Sequence, residues 1–254
     1  MLRYVVVAVV LLAVNVGHAG ASEIHLLAAV AVKDPLDRFA QTFTRATGHK
    51  VTVGYSLTGP ILADIKAGKP ADVIVLPEQG KVALVGAGLL DKPVPVAASL
   101  AGVGVRAGAP TPDVTTLEAF KAMLRAAPSI SYTDPKSGGA FGQYLGRALA
   151  EIGMADEVAR KAMLVAGSHL VVVKVANGEA AVGITFKSAI VTTPGLKFAG
   201  TLPRPLQDRE PFTAGVLKNA QEPDIAQAFV ASLMTPEAAA IWTDLGFAPG
   251  PASH

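Results

Sequence analysis

Short apolar runs of strand length, separated by helical patterns, constrain this chain more than any other feature. Residues 72–76 (Asp-Val-Ile-Val-Leu) and 180–186 are almost uninterrupted apolar runs, which is typical of parallel strands covered on both faces. Further strands are predicted, with helices between them, at residues 23–29, 51–55, 100–105, 129–133, 163–165, 196–200 and 213–217. This alternation predicts an α/β fold with mainly parallel sheets flanked by helices.

Prolines interrupt this pattern at two places. Residues 92–95 (Lys-Pro-Val-Pro) are predicted to be irregular, and Pro203, Pro205 and Pro211 lie in a connection too rich in proline for a helix. We therefore expect irregular backbone at both places.

The first 21 residues have the pattern of a secretory signal peptide. Arg3 precedes an apolar run, and the small residues 19–21 form a cleavage site, so we expect cleavage near Ala21. No later segment is long and uncharged enough to suggest stable membrane insertion after cleavage. We therefore expect an exported, periplasmic protein, and a monomer.

Composition excludes several classes of function. The chain has no cysteine, which removes disulfides, thiolate catalysis and thiolate metal sites. With a net charge of +2, one Trp and four Tyr, it has neither the basic stripe nor the aromatic platforms of a nucleic-acid-binding protein. Because metal-ligand and dinucleotide motifs are also missing, we expect neither a metal nor a cofactor.

The stretch 129–149 has the pattern of an anion-binding loop. A strand ends at Asp134-Pro135, and Ser137, Gly138 and Gly139 lie where a helix begins. Free N–H groups and the positive end of the helix dipole favour an anion there, and Ser137 adds a hydroxyl donor. The alternative is that this loop holds only water, as many strand–loop–helix turns do.

Several motifs, spread over the chain, carry a resemblance to a known family. They are Leu27-Ala28-Ala29, the run Ala-Gly-Lys-Pro-Ala-Asp-Val at 67–73, Asp134-Pro135, residues 178–184 and Gly246-Phe247. In these the chain resembles the periplasmic solute-binding proteins of ABC importers, and among them the molybdate-binding branch.

The resemblance implies a type II periplasmic binding protein fold with a ligand cleft between two lobes. Lobe 1 would comprise residues 22–98 and 208–254, and lobe 2 would comprise residues 99–207. The chain would cross between them near residues 98–105 and 202–216, and the lobes would close over the ligand.

The resemblance also implies ligand contacts at the cleft loops. Molybdate-binding members use a serine in the first loop and a tyrosine near the last strand, but this chain has Ala31 and Phe186 there. Each unpaired oxygen of a buried dianion costs roughly 1–3 kcal/mol, which counts against molybdate. The remaining contacts implied are Ser56 or Thr58 in the second loop, and Ser137, Gly138, Gly139 and Ala140 in the third.

Cationic residues near the same loops favour a different anion. Lys33, His169 and Lys187, with Ser168 and Lys136 close by, could bind carboxylates through charge-assisted hydrogen bonds. This predicts a small di- or tricarboxylate as the ligand. The alternative for each lysine is a solvated side chain at the edge of a loop.

Two functions remain open at this stage. The first is a receptor that captures the anion and delivers it to an ABC permease. The second is an enzyme, because aconitate isomerase is similar to this family, and that resemblance implies interconversion of trans- and cis-aconitate by an allylic proton shift. His169 would then be the catalytic base, with Lys187 and Lys33 stabilising the negative charge that develops.

Overall fold

A computed structural model describes residues 21–137, 140–204, 206–207 and 209–250. Residues 1–20 of the expected signal peptide lie outside the described residues, as do Gly138 and Gly139. In the part of the chain that is described, no helix is both long and apolar enough to cross a membrane.

Strands and helices alternate over most of the described chain. The strands are β1 (Glu23–Ala29), β2 (Lys50–Ser56), β3 (Val73–Pro77), β4 (Leu90–Arg106), β5 (Ile130–Thr133), β6 (Ala162–Val165), β7 (Val182–Phe186), β8 (Leu196–Thr201), β9 (Arg209–Leu217) and β10 (Ala248–Pro249). The helices are α1 (Lys33–Thr47), α2 (Thr58–Lys66), α3 (Glu78–Gly86), α4 (Leu117–Ala126), α5 (Ala140–Glu151), α6 (Ala155–Ala159), α7 (Ser168–Ala176), α8 (Lys187–Val191), α9 (Pro223–Ser232) and α10 (Pro236–Asp244).

One long strand joins two halves of the sheet. The strand order is β2-β1-β3-β9-β4-β7-β5-β6, with β8 and β10 also paired to β4. Residues 90–100 of β4 pair with β9, whereas residues 101–105 pair with β7. The strand therefore belongs to both halves, and the change of partner falls between Leu100 and Ala101.

Two separate clusters of buried apolar side chains accompany the two halves. The first cluster draws on residues 24–97 and 212–247, and the second on residues 101–206. The expected two-lobed α/β architecture is confirmed. The boundaries at 98/99 and 207/208 stay predictions, and they fall in the gaps between the two clusters.

The proline-rich passages are partly built into strands. Residues 92–95 lie within β4, and the irregular backbone expected there is confirmed. The pairing with β9 shifts register between Asp91 and Val94 and between Pro95 and Ala97, and Lys92 has a φ of +37°. Pro211, predicted to lie in a connection, belongs to β9. Its missing N–H is tolerated because β3 pairs with β9 only from Phe212 onwards. The short helix α8 was not predicted.

Asp72 holds elements of lobe 1 together. Its carboxylate is 2% exposed and accepts a hydrogen bond from His25 N at 2.8 Å. It also accepts hydrogen bonds from Gln221 N at 2.7 Å and Glu222 N at 3.3 Å, just before α9. One buried carboxylate thereby links β1 to the start of α9, a role that the sequence left open.

We predict that Asp72→Ala lowers the free energy of unfolding by about 3 kcal/mol, because it leaves buried backbone N–H groups without acceptors. Urea denaturation followed by circular dichroism measures this loss. Asp64→Ala is the matched control, since Asp64 forms an exposed ion pair with Lys69 at 2.8 Å, and such pairs contribute little. Equal denaturation midpoints for the two variants would contradict the linking role of Asp72.

Candidate functional site

A cleft of about 430 Å³ lies where the two lobes meet. Its lobe 1 side and floor come from Val30, Ala31, Asp34, Pro35, Ser99, Leu245 and Phe247. Its lobe 2 side comes from Ser168, His169, Val172, Phe186, Ser188, Ala189, Thr192 and Thr193. Both hydroxyl groups and apolar side chains line this cleft, which suits a ligand with polar groups on a carbon skeleton.

The topology explains why the cleft lies here. In α/β folds, ligands bind outside the carboxyl ends of the strands, next to helix N-termini. The turn that joins β1 to α1 lines the cleft from lobe 1, and the starts of α7 and α8 line it from lobe 2. Ser99, on β4 at the crossing between the lobes, is 3% exposed and forms part of the floor.

The two helix starts at the cleft differ in their electrostatics. Neither α1 nor α7 has a side-chain hydrogen bond at its N-cap. No N-cap side chain therefore accepts a hydrogen bond from the first backbone N–H groups of either helix. Asp34 lies in the first turn of α1, whereas α7 has no acidic residue in its first turn. Because a carboxylate offsets the positive end of a helix dipole, the start of α7 is the better position for an anion.

Four of the residues predicted from the sequence lie together at this cleft. Ala31, Ser168, His169 and Phe186 all line it. His169 is exposed, and the Phe186 ring packs on Phe141 with a centroid distance of 4.6 Å. Their role as ligand contacts stays a prediction.

The two lysines predicted to bind the anion lie outside the residues that line the cleft. Lys33 donates a hydrogen bond to Asp37 and stands 5.2 Å from the ring centroid of Tyr55. The hydrogen bond to Asp37 raises the pKa of Lys33. Lys187 stands 5.4 Å from the ring centroid of Phe198. Each lysine is therefore engaged with neighbours on its own lobe.

The other predicted loop residues also lie away from this lining. Ser56 ends β2, and Thr58 begins α2, where its methyl group faces Gly80 of α3. The Ser137 hydroxyl donates to the carbonyl oxygen of Asp134 at 2.7 Å.

Asp134 is a turn residue, as the sequence predicted, and its hydrogen bonds stabilise this turn. Its carboxylate accepts a hydrogen bond from Lys136 N at 2.8 Å. Ala140 begins α5. Among the predicted third-loop residues, Gly138 and Gly139 lie outside the described residues.

Sequence reasoning missed several polar residues of the cleft. Asp34, Ser99, Thr192 and Thr193 line it but were not predicted. Ser99 could have been found as the one hydroxyl residue in the apolar stretch 96–105. The two threonines follow α8, a helix of five residues, which is too short to leave a clear periodic pattern.

The lobes touch directly beside the cleft. Gly246, after α10, has a φ of +86°, and a Cβ atom placed on it would lie 2.7 Å from the Cα atom of Ser188 at the start of α8. Only glycine permits both this backbone conformation and this close approach. Gly246 therefore forms a backbone contact between lobe 1 and lobe 2.

Fold and cleft together define a two-lobed binding protein of the type II periplasmic class. The chain belongs to the bacterial extracellular solute-binding protein family, whose model matches residues 24–248. The resemblance drawn from the sequence is thus confirmed.

The proteins that this chain resembles include both an enzyme and binding proteins. The chain is 30% identical over 224 residues to the aconitate isomerase of a Pseudomonas species, covering 84% of this chain and 82% of that protein. It also matches a Clostridium difficile substrate-binding domain assigned to a molybdenum ABC transporter, with a TM-score of 0.79, 18% identity and coverage of 92% and 100%. The periplasmic molybdate-binding protein of Azotobacter vinelandii matches with a TM-score of 0.65, 20% identity and coverage of 88% and 98%. Because the sequence identities of these last two matches are low, the matches show only a shared fold.

We predict that Gly246→Ala separates the lobes, because the added methyl group meets the backbone of Ser188. Small-angle X-ray scattering should show a larger radius of gyration than for the wild type. The left-handed conformation alone costs an alanine about 1–2 kcal/mol. Gly88→Ala controls for this cost, since Gly88 has a φ of +70° and nothing within 4 Å of an added Cβ. A Gly246→Ala scattering curve identical to that of the control would contradict the lobe contact.

Proposed function

We propose that this protein captures a small di- or tricarboxylate in the cleft between its lobes. The observation that carries the proposal is the composition of the cleft wall, which combines hydroxyl groups, His169 and the start of α7 with apolar side chains. The volume of about 430 Å³ lies in the range of roughly 300–1,000 Å³ common for small-molecule sites. Imidazole and helix N–H groups are suitable donors for carboxylates.

Two positions in the same wall count against molybdate. Ala31 and Phe186 line the cleft without a hydroxyl, and a tetrahedral oxyanion needs donors around all its oxygens. A polycarboxylate instead has a carbon skeleton that can pack against Pro35, Val172 and Phe247. Its charged groups need donors only at its ends.

We further propose that the protein works in the periplasm and delivers its ligand to an ABC permease. Membership of an extracellular solute-binding family and the signal-peptide pattern of residues 1–21 support this location. A receptor of this kind requires a closing cleft but no acid, base or metal.

Ligand screening by thermal shift tests the receptor. We expect citrate, tricarballylate, succinate or trans-aconitate to raise the Tm, because a ligand at 100 times its Kd adds about 2.7 kcal/mol to the stability of the folded state. We expect His169→Gln to weaken binding about tenfold, the effect of losing roughly 1.4 kcal/mol. His25→Gln is the matched control, because His25 is exposed on β1 and lies outside the cleft. A shift with micromolar molybdate, and none with the carboxylates, would overturn the proposal.

An aconitate isomerase is the second candidate function. Two observations favour it, namely the 30% identity to the Pseudomonas enzyme over most of both chains and the position of His169 in the cleft. In an allylic shift a base removes a proton from the CH₂ group of aconitate, the double bond moves, and the proton returns at the former vinyl carbon. Because Lys33 and Lys187 lie outside the cleft lining, the N–H groups of α7 and the wall hydroxyls would stabilise the developing negative charge.

We predict that an active isomerase would convert trans-aconitate to the cis isomer in D₂O with uptake of deuterium, as followed by ¹H NMR. His169→Gln should abolish the conversion if His169 is the base, and His25→Gln should retain it. If the wild type binds trans-aconitate but neither the cis isomer nor deuterium uptake exceeds the buffer blank, the enzyme is excluded and the receptor remains.

A further inference from the structure

Two buried hydroxyl groups of lobe 2 have no hydrogen-bond partner among the described residues. Thr133 is 3% exposed and Thr185 is fully buried, and the Oγ1 atom of each is unpaired. A buried polar group without a partner costs roughly 1–3 kcal/mol. Such groups are uncommon in native proteins and call for a physical explanation.

The two hydroxyls are neighbours on the same face of the sheet. Strands β5 and β7 are parallel, with Ser131 beside Gly183 and Tyr132 beside Ile184, so the next step brings Thr133 beside Thr185. A Cβ atom on Gly183 would lie 2.9 Å from Val175 of α7. Because alternate residues of a strand share a face, Thr185 faces α7 as well, and Thr133 beside it does the same.

Both threonines lie at the carboxyl ends of their strands, beneath the N-terminal end of α7. Thr133 is the last residue of β5, and Thr185 is the last but one of β7. The first turn of α7 carries Ser168 and His169, which line the cleft. This helix start has neither a side-chain cap nor an acidic residue, so its N–H groups and dipole favour an anion.

We propose that Thr133 and Thr185 donate hydrogen bonds to one carboxylate group of the ligand, held at the N-terminal end of α7. This inference rests on the proposed function and deepens it. Both hydroxyl oxygens are covered in the present conformation, so the first turn of α7 must shift for the carboxylate to reach them. The hydroxyls then gain the partner that they lack without ligand.

This subsite defines the substrate class more narrowly. One carboxylate would bind deep in lobe 2 below the start of α7, while the main cleft extends from Ser168 and His169 of that helix start to Ala31 and Pro35 of lobe 1. A ligand that fills both regions carries a second polar group at a distance from the first, on an apolar skeleton. The arrangement therefore selects a polycarboxylate over a single compact oxyanion.

Valine substitutions test the subsite, because valine keeps the shape of threonine and removes only the hydroxyl. For Thr133→Val and Thr185→Val we expect an unchanged or higher Tm without ligand, since each removes an unpaired buried group. We expect the Kd for tricarballylate, measured by isothermal titration calorimetry, to rise about tenfold in each variant. Thr185→Ser, which keeps a hydroxyl, should restore most of the affinity.

Ser131→Ala is the matched control on the same face of β5. The Ser131 hydroxyl is buried and donates to the carbonyl oxygen of Met163 at 3.2 Å, so its loss should lower the Tm and leave the Kd unchanged. Valine variants that bind tricarballylate as tightly as the wild type would overturn the subsite while the proposed function stands. A fall in the ligand-free Tm of the valine variants, like that expected for Ser131→Ala, would also overturn the subsite. It would show that the threonine hydroxyls have hydrogen-bond partners without ligand. If the wild type binds no carboxylate, the proposed function is wrong and the subsite falls with it.

Discussion

The pairing of β4 with strands of both lobes is the constraint on which the rest of this structure depends. Its first part is hydrogen-bonded to β9 and its last part to β7, so a movement of one lobe relative to the other would bend this strand. The change of partner at Leu100 and Ala101 is therefore the natural point of flexion. Ser99 lies next to it and forms part of the cleft floor. Bending at this point would change the width of the cleft.

Small residues on one face of the lobe 2 sheet bring the helices of the site close to the strands. Gly104 of β4 and Gly183 of β7 lie opposite one another. A Cβ atom on the first would lie 3.0 Å from Ile190 of α8, and one on the second would lie 2.9 Å from Val175 of α7. Larger residues would push both helices outward, and their N-terminal ends would no longer meet at the cleft. The glycines thus set the position of the helix starts that line the cleft.

Local patterns predicted the elements, and contacts between distant segments decided what those patterns missed. The apolar runs at β3 and β7 could be predicted because a strand covered on both faces has few polar residues in its sequence. The bulges that admit Pro93 and Pro95 into β4 depend on β9, which is more than a hundred residues away. Contacts between distant segments also limited what could be predicted of the site. The spacing of Lys33 and Asp37 fits a helical ion pair, but the contact of Lys33 with the Tyr55 ring exists only in the folded lobe.

The receptor and the isomerase require different things of the same cleft, and the difference is the exclusion of water. Capture needs donors, whereas proton transfer also needs a base shielded from solvent. His169 is exposed in this conformation, so proton transfer would require further closure over α7. Val30 and Leu170, at 52% and 43% exposure, lie beside the cleft on opposite lobes, and covering them would contribute about 25 cal/mol per Å² of apolar surface. Closure driven in this way would enclose the imidazole with the ligand, so the movement that tightens binding is also the one that would permit catalysis.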